Sequence, residues 1–174
     1  MTEGKKEMEI VFRGELIVDY DESAHLLALP KLVKEVSTDI KKVKILKKGI
    51  ERVPIVIVKL NPGLMHGEVK NVMFSKGITP AGLHELIIFS HFLDELFRDG
   101  MRIVSLRDEM FEMGVEFIPT ICCHKKSAMI IMAFRDDLPF KETYFLGIEE
   151  ARSPAFKPLV SKELKLVEHG TAKP

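Results

Sequence analysis

The chain has 174 residues, 46% of them apolar and 30% charged, with 26 basic side chains balanced by 26 acidic ones. A domain of this length hides about 70% of the surface its unfolded chain exposes, so it can build its own core. That excludes a disordered chain. The cancelled charge also withholds the positive excess on which a dedicated duplex binder relies. A single globular domain is expected over residues 1–174, with flexible tails at 1–7 and 169–174.

The N-terminal Met-Thr-Glu-Gly-Lys-Lys-Glu has no apolar core of a secretory signal, and no apolar run reaches membrane-spanning length. The only two cysteines, Cys122 and Cys123, are adjacent. Neighbouring Cα atoms lie about 3.8 Å apart, closer than normal disulfide geometry wants, so a reducing, cytoplasmic setting is expected. Gln is absent, and Asn occurs only at Asn61 and Asn71 beside abundant Lys and Glu, a thermophile tendency.

In chain order, Glu9 to Tyr20 alternates about Arg13-Gly14, as a hairpin or as one long bulged strand. Asp21-Glu22-Ser23 offers N-cap oxygens. Leu26, Leu29, Val33, Val36, Ile40 and Val43 then recur at spacings of three and four, predicting helix near 23–42, interrupted at Pro30. Residues 43–47 read equally as the end of that helix or as a strand turning at Lys47-Lys48-Gly49. Val53 to Leu60 is β-branched on both faces and predicts a central strand with Pro54 at its beginning. Gly67 to Phe74 reads as a returning strand.

Thr79 as N-cap and Pro80 at the first helical position open the main helix. Leu83, Leu86, Ile87, Ile88, Phe89, Phe92, Leu93, Leu96 and Phe97 make it apolar around most of its circumference, hence largely buried. Asp99-Gly100 stops it at about residue 99, with Gly100 left-handed. Met101 to Val104 is a short strand. Ser105 and Asp108 form a box-like start for a helix over 105–113, closed by Gly114. Val115–Cys123 and Ser127–Arg135 are strands joined by a hairpin at His124-Lys125-Lys126, and Thr143–Leu146 pairs with them. The expected fold is α+β: a mostly antiparallel sheet packed around a central apolar helix at about 80–99, with additional helices near 23–42 and 105–113.

Four groups are candidates for chemistry. Cys122-Cys123-His124 places a base next to two thiols, but strand neighbours point to opposite faces, and a small buried core residue is the plainer role. His84 and His91 share a helical face about 10.5 Å apart, too far for one metal, whereas His91 and Glu95 have the spacing of helical zinc pairs. The loop Asn61-Pro62-Gly63-Leu64-Met65-His66-Gly67 lacks the phosphate-loop pattern, yet its glycines allow close ligand approach. Asn61, Gly63, His66 and Gly67 are its binding candidates, with His66 the first choice among the histidines. Residues 31–52 carry eight basic side chains against three acidic, and residues 1–30 three against seven. Lys41, Lys44 and Lys48 are the nucleic-acid candidates there. No aromatic or Arg interleaves the lysines before Arg52, which disfavours nucleic acid.

No metal set and no cofactor motif is present. The sequence therefore points to a non-catalytic binding or interaction module that self-associates, its nine methionines suiting adaptable contacts, with a small-molecule ligand as a further partner. The alternatives are a small enzyme assembled from His66, His84 or His91 and Cys122 or Cys123, and a nucleic-acid-associated protein using residues 31–52.

Overall fold

A computed structural model of the protein describes residues 8–22, 29–44, 46–60, 64, 66–135 and 142–150. The expected tails, residues 23–28 of the first expected helix, and Asn61 and Gly63 lie outside the described residues. The fold is α+β. Among the described residues nine strands, β1 (Met8–Asp19), β2 (Val33–Val36), β3 (Ile50–Leu60), β4 (Ile78–Pro80), β5 (Arg102–Ser105), β6 (Met110–Glu112), β7 (Val115–His124), β8 (Ser127–Phe134) and β9 (Thr143–Glu149), form one sheet. Their order is β1-β3-β9-β5-β7-β8-β2, with β4 beside β9 and β6 beside β7. Every pair is antiparallel except β5–β9 and β2–β8.

Helices cover both faces of this sheet. Helix α2 (Leu83–Phe89) and the single turn α3 (Leu93–Leu96) put Leu83, Leu86, Phe89 and Leu93 against Leu16, Ile55, Ile57, Ile103, Ile121 and Leu146. Helix α1 (His66–Ser75) puts Val69, Val72 and Met73 against Val56, Val58, Val104, Ile118 and Phe145. Strand β3 supplies odd residues to one face and even residues to the other, which is why it is apolar throughout.

The Glu9–Tyr20 alternation is one bulged strand and not a hairpin. Its bulge falls at Val11, where Ile10 pairs with Val58 and Phe12 with Ile57. The extra residue moves the even positions from the α1 face to the α2 face. Pro54 sits inside β3 rather than at its start, one residue before the ladder to β9 begins at Ile55. Pro119 likewise falls on β7 between the stretch paired with β6 and the stretch paired with β5. In both places a missing N–H leaves no gap in that neighbouring ladder.

Several expected elements differ. Residues 67–74 are helix, since Val69, Val72 and Met73 share one helical face. Within 23–42, the described residues form β2 and a 3-10 turn at Thr38–Lys42, because the edge of β8 offers Val33 and Val36 a parallel partner. Residues 43, 44 and 46–48 are neither helix nor strand. Thr143–Glu149 pairs with β3, β4 and β5 rather than with β7 or β8.

The main helix is shorter than 80–99. Pro80 ends β4, α2 begins at Leu83, and a 3-10 turn at Ser90–Phe92 separates it from α3. Its stop also comes earlier: α3 ends at Leu96, where Phe97 turns extended with ψ 130°, and Gly100, left-handed as expected with φ +79°, belongs to the turn before β5. No helix forms at 105–113. Met113 and Gly114 have φ of 52° and 78° and make the two-residue turn of the β6–β7 hairpin, where two left-handed residues match strand twist.

Candidate functional site

Where α2 meets the chain leaving β5, a polar network is buried. Glu85 on α2 has no exposed surface. Arg107 grips it with both arms of its guanidinium, Nη1 to Oε1 at 2.8 Å and Nη2 to Oε2 at 2.7 Å. Tyr20 donates its hydroxyl to Oε1 at 2.5 Å, and the Gly82 N–H donates to Oε2 at 3.0 Å. Burial on its own would raise the Glu85 carboxyl, but the Arg107 charge and these hydrogen bonds hold it below its ordinary value. Burial and the Glu85 carboxylate push the Tyr20 phenol well up, so it acts as a donor.

The sequence builds this network from distant parts. Asp108 caps α2 by accepting the Leu83 N–H at 2.6 Å, and its Oδ1 lies 3.5 Å from Arg107 Nε. The Ser105 hydroxyl donates to the Ala81 carbonyl at 2.6 Å, and the Arg107 N–H to the same oxygen at 3.1 Å. A Cβ on Gly82 would collide with Arg107 Nη2 and Asp108 Oδ2, so glycine here lets both side chains keep their places over the start of α2.

The exposed side of Arg107 opens on a cleft of about 480 Å³ between residues 42–47 and 107–111. Lys42, Lys44, Lys47, Arg107, Asp108 and Glu109 are its polar lining, and Val43, Leu46, Met110 and Phe111 its apolar lining. Lys47 bonds Glu51 at 2.9 Å and Tyr20 Oη at 3.3 Å, with its ammonium 4.7 Å from the Tyr20 ring centre. Glu109 reaches the second face of the sheet, where it pairs with Lys70 of α1 and lies beside Glu116, which in turn pairs with Arg135. Burial raises the Glu109 carboxyl, and Lys70 does not offset that with Glu116 adding a like charge.

The sequence candidates are dispersed. His84 is 1% exposed on the α2 face, its Nε2 2.6 Å from the Glu22 carbonyl and its ring 5.6 Å from that of Tyr20. Cys122 lies on the α1 face of β7, so the sheet separates it from His84. Burial raises the Cys122 thiol, and burial together with Cys122 pushes Cys123 up to about 12. His91 lies on the 3-10 turn after α2, and His66 and Gly67 open α1. Lys41 and Lys48 are exposed, and only Lys44 of the three basic candidates lines the cleft.

The residues of the network were absent from the sequence candidates. One signal pointed to them: Glu85 is a lone carboxylate amid Leu83, Leu86 and Ile87, which demands a buried partner. Nothing in the sequence named Arg107 as that partner. Among the described residues no cluster of His, Cys, Asp and Glu could hold a metal ion, and no helix is long and apolar enough to cross a membrane. No family model matches the chain, and neither a curated protein nor a solved structure resembles it at a significant level.

Proposed function

We propose that the chain is a non-catalytic binding domain whose ligand occupies the cleft between residues 42–47 and 107–111. The observation that carries this reading is the immobilised Arg107. Buried Glu85 holds the guanidinium at the cleft wall, so a ligand meets a donor already in place and little ordering cost is added on binding. The cleft volume lies within the range of about 300–1,000 Å³ usual for small-molecule sites. The rival enzyme reading is less favoured, because His84 and Cys122 face opposite sides of the sheet and neither thiol is activated.

A mixed library of neutral, cationic and anionic fragments, followed by amide chemical shifts, tests the proposal. Shifts should gather at Lys44, Leu46 and Arg107 to Phe111. A library in which no fragment moves these amides would end the reading. Self-association belongs to the same proposal and is supported by the β6–β7 hairpin, whose Phe111 and Met113 are 69% and 98% exposed. A monomeric mass by light scattering at high concentration would remove that part.

A further inference from the structure

Resting on the binding reading above, the charges and apolar groups of the cleft narrow its ligand. Each charged wall residue but one is matched by a partner. Lys42 contacts Asp39 at 2.9 Å and Glu112 at 3.2 Å, Lys47 pairs with Glu51, and Arg107 pairs with Glu85. Asp108 is held by Arg107 and the Leu83 N–H, and Glu109 by Lys70. Lys44 is exposed and has no ion-pair partner among the described residues. Lys44 is therefore the one cation of the cleft lining with no carboxylate beside it among the described residues, whereas Lys42 and Arg107 each face two. Arg107 contributes donors rather than free charge: Glu85 takes one N–H from each terminal nitrogen and Nε lies 3.5 Å from Asp108, so each terminal nitrogen keeps a second N–H.

The apolar part of the lining is open. Phe111 is 69% exposed and Leu46 91% exposed, and both line the cleft with Val43 and Met110. An exposed phenyl ring at a cleft edge offers a π-face on which any planar ring stacks. The aromatic and the arginine that the lysine-rich run lacks in sequence thus arrive across the cleft from residues 107–111. We infer that the cleft binds a planar aromatic ring carrying one anionic group, phosphate or carboxylate, with the ring against Phe111 and the anion at Lys44 and Arg107.

Calorimetric titration with AMP, adenosine and inorganic phosphate tests this, with phenyl phosphate and benzoate separating the two anion types. AMP or one of the two aryl anions should bind at least about tenfold more tightly than adenosine or phosphate alone. Phe111→Ala should bring that ligand down to the level of phosphate, and Lys44→Glu to the level of adenosine. Both side chains are exposed, so both variants should melt with the parent. Aromatic anions that bind no tighter than their halves, or with affinity indifferent to both substitutions, would overturn the inference. If neutral or cationic fragments still shift the cleft amides, the binding reading stands and only the ligand class falls. If no fragment does, both fall.

Discussion

The two faces of the sheet each carry a shielded glutamate beside a cation, and the two behave oppositely. Glu85, under α2, receives two arginine donors, a phenol and a backbone N–H, and its carboxyl is held ionised. Glu109, under α1, has one lysine on one side and the carboxylate of Glu116 on the other, and its carboxyl is raised. Burial acts on both in the same direction. The number of donors aimed at each carboxylate decides the outcome, so the first network locks and the second titrates.

The sharpest way to break this contrast is Arg107→Met. It leaves Glu85 buried without its cation, and chemical denaturation should register a loss of about 3–5 kcal/mol. A loss under about 1 kcal/mol would mean that the network does not hold α2 to β5. Next in size is Gly82→Ala, whose methyl group would force Arg107 and Asp108 apart. The expected cost is about 1–3 kcal/mol, measured the same way.

Stability against pH then separates the two glutamates. The folded-state carboxyl of Glu85 is lowered, so its contribution is present above the ordinary value of 4.5 and is lost as pH falls through the folded value. For Glu109 the carboxyl is raised, so its contribution is complete below 4.5 and is lost as pH rises through the folded value. Glu109→Gln should flatten the stability profile above 4.5 and leave the acid limb in place. Glu85→Gln should do the reverse. Identical profiles for the two variants would erase the distinction between the faces. The smallest effect belongs to the surface: Arg52→Ala removes a 3.2 Å contact with Glu15 and should change stability by less than about 1 kcal/mol in the same assay.

How far the sequence disclosed all this depends on the range of the interactions involved. Strands β3, β7 and β8 were legible because β-branched alternation is a local property, and the left-handed turn at Gly100 was legible because it is one too, though the helix before it ends already at Leu96. The misreadings share a cause. Ser105 and Asp108 look like the start of a helix, but both turn back to serve the start of α2, at Ala81 just before it and at its first residue Leu83. Thr79-Pro80 looks like a helix start, but β9 offers those residues a ladder instead. Val33 and Val36 keep helical spacing and still join the edge of β8. In each case a partner distant in sequence outbid a local preference. The candidate site suffered most, since Glu85 and Arg107 meet only once the sheet has brought α2 and β5 together.

The capping of α2 by Asp108 also bears on how the chain reaches its fold. A seven-residue helix cannot persist alone in water, where about 12–15 residues are marginal even for favourable sequences. Its cap comes from a residue 25 positions away, beyond β5. Helix α2 is therefore completed only as β5 docks, and β5 must find β9 in a parallel, non-local pairing. Refolding should be slow for a domain of this size, and far-ultraviolet helix signal and sheet-core fluorescence quenching should rise in one shared phase. Asp108→Ala should slow that phase more than it hastens unfolding, if the cap is already made when the barrier is crossed.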